Sequence, residues 1–443
     1  VSLGCHIDGA LLPAPNPNDV LNMSAGAIKR VGCKLPKPEP GELRAIRNFT
    51  RKWLRINLTP LQANTDVSVD TWLKTSPYPE WRRDQLRKSW AKCGEGRRLN
   101  YRHYRCASFI KREGYAEFKY PRTINSRSDA FKMLTGPYFK AIEEQLYRKK
   151  WFVKHIDVAD RPRLIEKLFP SGQVVCATDY TSFEASFSPE ILYAVETQLY
   201  SYMLCNLPES KTIMGHIRRA LCGRQLCRMG SRKGRGVAYM VDGTRMSGDM
   251  CTSLGNGFTN LILMSYMCAK AGSSVEGLYE GDDGLTLIRG MNPAQSSFGL
   301  LGFRLKIEVH PDASKASFCG NVFVRGMPGN ICDPMKTLAK FGWTMSTMRL
   351  GKATDREALL RAKALSLLAT NPGAPVIQAL ANWVLRVIGR SGALLFSGGG
   401  GRPNYWETRI ADRIKRGECS ALPISEVSRR LCSDQFGVTV DRQ

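Results

Sequence analysis

Gly281-Asp282-Asp283-Gly284 sets two adjacent carboxylates between two short apolar runs, residues 275–279 and 285–288. Runs of that length bounded by glycine predict strands, so the acids fall on a strand–turn–strand tip. Two like charges held side by side are costly unless a cation meets them. A divalent ion such as Mg²⁺ suits the pair, because it wants hard oxygen donors and takes few of them from protein. An ordinary acidic hairpin turn is the plain alternative, since Asp-Gly is common turn chemistry. More acid stands upstream. Residues 173–178 form an apolar run that ends at Asp179, and Glu184 follows five residues later. Two-metal phosphoryl transfer needs carboxylates from separate strands, so that two ions sit about 3.5–4 Å apart. Taken singly, Asp179 reads equally as a strand-end cap and Glu184 as a surface charge.

Two further groups carry chemistry by spacing. Ser247-Gly248-x3-Thr252-x3-Asn256 fixes four residue types. With each type near 5–7% of usage, a chance match in this chain is on the order of 1%. Thr252 and Asn256 lie four apart and share one helix face, with a Ser-Gly loop just before them. Such a loop and polar stripe can read a sugar hydroxyl or clamp a template strand; a polar stripe packed on another element is the alternative. The second group is basic: Phe109-Ile-Lys111-Arg112-Glu113, Lys119-Tyr-Pro-Arg122-Thr-Ile124 and Arg127. These read as cations on a hairpin over 109–127, suited to a triphosphate.

The elements that must position these residues are legible in outline. Residues 1–40 carry Pro13, Pro15, Pro17, Pro36, Pro38 and Pro40 and read as an extended arm. Arg44, Arg47, Arg51 and Arg55 recur at helical spacing beside Ile46, Phe49, Trp53 and Leu54. Ser188-Pro189-Glu190 opens a helix running to about Cys205, with Ser as cap and Pro at the first position. Residues 215–245 mix basic residues with glycine and read as hairpins and loops. A long apolar helix follows from Asp249 to about Lys270. Residues 305–309 and 318–324 are further strands, and 355–369 and 374–388 are helices separated by Asn371-Pro372-Gly373. Gly398 to Gly401 marks a linker.

Composition narrows the class. The chain has 443 residues, 65 Lys and Arg against 39 Asp and Glu, and a formal net charge of +26. Hydrophobic residues at 43% exclude a disordered chain, and 40 glycines without a three-residue period exclude collagen. No apolar run approaches the roughly 18–20 residues that span a bilayer. The longest, 258–269, is broken by Thr, Asn and Ser. Such a charge points to a polyanion, nucleic acid first and an anionic membrane surface second. Residues 29–127 alone hold 24 Lys and Arg against nine Asp and Glu, more than half of the excess. Fourteen cysteines without Cys-x-x-Cys spacing argue against both a disulfide scaffold and a zinc site. Cys176, Cys205, Cys268 and Cys319 read as small buried thiols, fitting a reducing compartment. No Gly-x4-Gly-Lys-Ser/Thr is present, so helicase or ATPase activity is unsupported. The chain begins at Val1 and reads as a processed piece or the downstream part of a longer product.

The order of these groups — basic hairpin, Asp strand, Ser-Gly helix, Gly-Asp-Asp turn — resembles the RNA-dependent RNA polymerases of positive-strand RNA viruses, and the tombusvirus-like group most. The stretch Arg245-Met-Ser-Gly-Asp-Met-Cys-Thr-Ser-Leu-Gly-Asn256 is similar to that group's motif B. Lys111-x-Glu113 with Pro121-Arg122-x-Ile124 resembles its motif F, and Gly136-Pro-Tyr-Phe-Lys140 the segment that follows. Leu301-Gly-Phe303 with Lys306 resembles motif D, and Phe318-Cys319 motif E. The specific likeness covers roughly residues 105–325.

The resemblance implies an α+β right-hand fold: an arm at 1–40, fingers at 41–170 and 203–244, a palm at 171–202 and 245–330, and a helical thumb with tail at 331–443. It implies template-directed nucleotidyl transfer with Mg²⁺ or Mn²⁺, acting on NTPs, an RNA template and a product strand, alongside other viral replication proteins. Carried over residue by residue, Asp179 and Asp282 bind metal, supported by Asp283, and Lys306 is the general acid for departing pyrophosphate. Lys111, Lys119 and Arg122 contact the triphosphate, while Ser247, Thr252 and Asn256 sense the ribose or hold the template. Motif A departs from the family at Glu184, which stands where a second Asp is usual and reaches one methylene farther. The family also implies the host cytoplasm, at membrane-associated replication complexes. A reverse transcriptase is the nearest enzymatic rival, but it sets an aromatic where Glu184 stands. A non-catalytic basic RNA-binding protein explains the charge but not the aligned carboxylates.

Overall fold

A computed structural model of the chain describes residues 1–5, 9, 12–32, 36–230, 234–345, 351–396 and 405–443. Asp19 accepts from the Leu21 amide and starts α1, Val20–Val31, inside the stretch expected to be an extended arm. The prolines of 1–40 flank this segment and none falls within it, so nothing stops a helix there. α2, Pro40–Asn57, begins on its proline and turns Ile46, Thr50 and Leu54 inward. α3, Val69–Thr75, and α4, Glu80–Lys92, follow. β1, Cys106–Ile110, and β2, Thr123–Arg127, pair antiparallel, as the basic hairpin requires. α5, Asp129–Leu146, packs on α3 and α4 through Trp72, Leu73, Leu86 and Met133.

α6, Arg161–Leu168, precedes β3, Val175–Tyr180. Ser188 caps α7, Pro189–Ile191, which continues through a π-helical turn, Leu192–Glu196, into α8, Thr197–Met203. The expected helix is therefore present but wound more loosely in its middle. α9, Ser210–Cys222, takes the first part of the stretch read as hairpins, because Ile213, Met214, Ile217 and Leu221 form a buried helical face. The remainder is β4, Gln225–Gly230, and β5, Gly236–Val241. α10, Thr252–Lys270, starts three residues later than expected, after a turn at 249–251. Then come β6, Ser274–Glu280, β7, Asp283–Arg289, α11, Gln295–Gly299, and β8, Leu305–His310.

Only the middle of the 318–324 run is a strand. Phe318 and Asn321 hydrogen-bond to each other around a tight turn, leaving β9, Asn321–Phe323, to pair with β10, Asn330–Cys332. The C-terminal part is helical: α12, Pro334–Phe341, α13, Ala353–Thr370, α14, Ile377–Ile388, α15, Tyr405–Lys415, and α16, Glu426–Phe436. The expected glycine linker, Gly398 to Gly401, lies outside the described residues. Cys176 and Cys268 are buried as expected and Cys319 is half-buried, but Cys205 is exposed just past the end of α8.

Among the described residues the strands form two four-stranded sheets besides the β9–β10 pair. The central one has the order β6-β7-β3-β8 and is antiparallel throughout. The other has the order β2-β1-β4-β5, with β1 and β4 parallel. One face of the central sheet, with Cys176 and Tyr180, joins the main core built on α10, α8 and α2. Its opposite face, with Val175, Ala177, Leu278 and Leu285, packs on α6 and on Phe318 and Phe323. A separate core lies among α12, α13 and α14, with Leu3 from the N-terminus. No helix among the described residues is long and apolar enough to cross a membrane.

Candidate active site

The central sheet brings the aspartates to one end. Cys176, Ala177 and Thr178 of β3 face Thr286, Leu285 and Gly284 of β7. One step further in that register Asp179 stands opposite Asp283, on the same face. On its other side Asp179 pairs with Lys306 of β8. The β6–β7 connection is only Gly281-Asp282, with Glu280 opposite Asp283. Gly281 has φ +65° while Asp282 keeps a negative φ, the pattern of a two-residue hairpin whose first position wants glycine. The Gly before the aspartates is thus a geometric requirement of the turn.

The turn is held from behind by a residue the sequence did not single out. Asn260, fully buried on α10, turns its amide toward the carbonyls of Gly281 (3.3 Å), Asp282 (3.0 Å) and Asp283 (3.2 Å). Its side-chain oxygen accepts from the Tyr180 hydroxyl at 3.2 Å. One side chain therefore ties the strand of Asp179 to the turn of Asp282 and Asp283. Its only sequence signal is position: it continues the Thr252, Asn256 stripe by four. Glu280 is fixed by Arg161 (2.6 Å) and Lys154 (3.4 Å).

Asp282 and Asp283 open onto solvent, yet protein surrounds them on most sides. Burial pushes the Asp283 carboxyl up to about 7, reinforced by the charges of Asp282 and Glu280. Asp282 is raised for the same first reason, with Glu184 and Asp179 adding to it. Mutual repulsion of this kind is relieved by a cation. Among the described residues, no three His, Cys, Asp or Glu side chains stand close enough together to hold a metal ion. The donor types nevertheless suit a hard divalent ion: Asp179 at the end of β3 and Asp282 and Asp283 at the β6–β7 turn all offer carboxylate oxygens.

Facing Asp282 is a cleft of about 460 Å³. Lys119, Arg122, Lys29 and Arg30 stand around it with Glu184 and Asp282. Four cations about so small a volume suit a polyphosphate. A cavity of about 550 Å³ lies by α12, α13 and α15, but its lining is largely apolar and includes none of the sheet's aspartates. The smaller cleft is therefore the better place for phosphate chemistry.

The other expected residues divide. Lys111 is paired with Glu113 at 2.9 Å, beside the cleft but not on its wall. Glu113 also meets Arg122 at 3.5 Å. Arg127, expected among the triphosphate cations, is buried and serves another purpose. It donates to Asp249 (2.8 Å), to the Tyr104 carbonyl (2.7 Å) and to the Ala220 carbonyl (2.8 Å). Strand alternation is the reason: Thr123, Asn125 and Arg127 share the inward face of β2. Lys306 is exposed and bonded to Glu308 at 2.5 Å, which raises its ammonium above the usual value. Lys315, near it in sequence, is drawn off by Asp434 at 3.3 Å.

Ser247, Thr252 and Asn256 do not line the cleft; Ser247 and Asn256 are buried and Thr252 is half-buried. The Ser247 carbonyl accepts from the Asn125 amide at 2.6 Å, and Gly248 with φ +110° lets the loop press on Ile124 and Asn125. Thr252 donates to the Met246 carbonyl at 3.1 Å. Asn256 is buried and accepts from Arg245 Nε at 2.8 Å. Arg245 in turn is ion-paired to Glu196, both side chains fully buried. Glu196 ends the π-helical turn, a local widening often found at functional sites.

A sequence model of a family described as viral RNA dependent RNA polymerase matches residues 22–443. The RNA-directed RNA polymerase of Striped jack nervous necrosis virus is 27% identical over 286 residues, covering 61% of this chain and 27% of that protein. That of Pariacoto virus is 25% identical over 309 residues, 66% of this chain and 30% of the relative. That of Oat chlorotic stunt virus (isolate United Kingdom) is 25% identical over 203 residues, 42% and 26%. The chain spans only about a quarter to a third of the length of these curated relatives.

Proposed function

The chain belongs to the family of viral RNA-dependent RNA polymerases, and from that premise we propose that it extends an RNA 3′-end on an RNA template with NTPs, replicating a positive-strand RNA genome. What supports this reading is the register that sets the end of β3, with Asp179, beside the Gly281-Asp282-Asp283 turn, with Asp282, Lys119 and Arg122 on one cleft. The fold reads as a right hand. The central sheet with α10 is the palm. The β2-β1-β4-β5 sheet with α2 to α5 forms the fingers, and the helices after β10 form the thumb.

Asp179, Asp282 and Asp283 are the residues to hold Mg²⁺ or Mn²⁺, which when bound lowers the pKa of an attacking hydroxyl and neutralises a leaving phosphate. The rest falls to the chain itself. Lys119 and Arg122 orient the triphosphate, and Lys111 holds Glu113 beside them. The RNA 3′-hydroxyl attacks the α-phosphorus, its proton passing to solvent, and the bond from that phosphorus to the bridging oxygen of the pyrophosphate breaks. Lys306, kept as an ammonium by Glu308, gives a proton to the departing pyrophosphate. Glu184 meets the ribose. Ser247, Thr252 and Asn256 shape the loop against which the template lies. RNA, NTPs and other viral replication proteins are the partners, in the host cytoplasm at membrane-associated complexes.

Primer extension by the purified chain on an RNA template tests this. Divalent-dependent product that disappears in Asp282→Asn is expected, with RNA affinity nearly unchanged. Full activity in Asp282→Asn would falsify the assignment. RNA binding that is indifferent to Mg²⁺ and to Asp179→Ala, without any product, would favour the non-catalytic reading.

A further inference from the structure

Glu184 is the acid that departs from the family pattern, and its partner accounts for the departure. Arg30, in the last turn of α1, donates from Nη1 to Glu184 Oε2 across 154 positions of sequence. The two side chains keep 22% and 18% of their exposure, so the pair stands in the cleft wall and is not sealed beneath it. Lys29 lines the same cleft, 5.7 Å from the Tyr120 ring, on the loop that carries Lys119 and Arg122.

α1 is docked there by close packing. Met23 and Ala27 join Ile110 and Met229 in a small core. A Cβ on Gly26 would come within 2.8 Å of the Pro121 carbonyl and of Thr123 Oγ1, so only glycine lets the helix lie so close. The Glu184 backbone is tethered separately, its carbonyl accepting from Thr244 Oγ1 at 3.4 Å. Backbone and carboxylate are thus held by different elements. An aspartate at 184 would end about 1.5 Å short of the guanidinium, one carbon–carbon bond.

We propose that Arg30 is a positioning residue for ribose selection: it holds Glu184 by Oε2 and leaves Oε1 to accept from the 2′-hydroxyl of an incoming ribonucleotide. Helix α1, outside every motif, then belongs to the nucleotide site. This rests on the reading of the cleft as the NTP site. A fixed acceptor discriminates because a 2′-deoxynucleotide leaves it without a donor; a loose one moves to solvent and discriminates less.

The test is single-nucleotide incorporation by the full chain on a primed RNA template, comparing kcat/KM for CTP and dCTP. In Arg30→Gln the ribo-to-deoxy ratio should fall about fivefold, the size expected of a charged pair still partly open to solvent, mainly through KM for CTP. Arg30→Lys should restore part of it. Glu184→Gln should lower the ratio as far, and the double variant no further. Equal losses for both nucleotides at an unchanged ratio would show that Arg30 only docks α1, and would overturn the proposal alone. Wild-type protein that makes no product, or Asp282→Asn that still does, would remove the nucleotide-site reading and this one with it. If Arg30→Gln does not fold, Glu184→Asp carries the test, since it shortens the acid without touching the packing of α1. A similar fall in the ratio supports the proposal and an unchanged ratio overturns it.

Discussion

Asn260→Leu keeps the volume of the side chain but removes its amide from beneath the Gly281-Asp282 turn. In the native chain two N–H donors serve three carbonyls at 3.0–3.3 Å, and the amide oxygen takes the Tyr180 hydroxyl at 3.2 Å. Two neutral hydrogen bonds at about 1 kcal/mol each, plus a buried hydroxyl left without its acceptor at about 1 kcal/mol, sum to roughly 3 kcal/mol of folding stability. The turn carbonyls gain no substitute donor from leucine. Asp282 then loses its fixed position, and displacement by about 1 Å costs roughly a hundredfold in rate. Urea unfolding followed alongside single-turnover incorporation reads both quantities. Tyr180→Phe in the Asn260→Leu background should recover part of the stability, since the orphaned hydroxyl is gone, but none of the rate. A variant that loses about 3 kcal/mol yet turns over at the wild-type rate would refute the claim that Asn260 positions the aspartates. A variant that loses neither would refute the hydrogen-bond assignment itself.

Arg122→Ala should raise KM for NTPs by about tenfold with little change in RNA affinity, because Arg122 lines the cleft; a change confined to RNA binding in filter assays would contradict it. Glu196→Gln breaks a fully buried ion pair and strands Arg245, so thermal or chemical unfolding should show about 3–5 kcal/mol of destabilisation. Glu143 is lifted by burial from an ordinary value of 4.5 to about 7. The folded chain therefore keeps a proton that the unfolded chain releases. That contribution is fully present below about pH 4.5 and is lost as pH rises through 7, at most about 3 kcal/mol and less because the residue is only partly buried. Glu143→Gln should flatten that part of the stability–pH curve.

What the sequence disclosed and what it hid follow from range. The Gly281-Asp282-Asp283 turn, β3 and α10 are local patterns: a two-residue hairpin needs its glycine, and a buried strand or helix shows its period within a dozen residues. Glu196 with Arg245, Arg127 with Asp249, Asn260 with the turn and Arg30 with Glu184 are pairings across 21 to 154 positions. No period marks them. Two misreadings had visible causes. The proline count of residues 1–40 masked a proline-free stretch long enough for α1. Arg127 was grouped with the nucleotide cations by charge, although its parity with Thr123 and Asn125 puts it on the inward face of β2. Charge type is local information, but whether a charge is spent inside the fold is not.

The basic excess shows the same division. Residues 29–127 hold more than half of it, yet many of these cations answer nearby acids and not a ligand. Arg82 meets Asp129 at 2.6 Å, Arg87 meets Glu80 and Asp84 at 2.9 Å each, and Arg127 meets Asp249. The Arg82 pair fastens α4 to α5 and the Arg127 pair fastens β2 to the turn before α10, while the Arg87 pairs lie within α4 itself. Around the cleft Lys29, Arg30, Lys119 and Arg122 outnumber Glu184 and Asp282 on its wall, with Arg30 answering Glu184 and Arg122 meeting Glu113. That surplus suits a polyanion, while Asp282 and Asp283 are raised first by burial and then by the acids around them. Cations on the cleft wall and carboxylates at the sheet end thus set opposite charge on adjoining surfaces. The net charge points to a polyanion, and the place proposed for it rests on the local imbalance at the mouth of the central sheet.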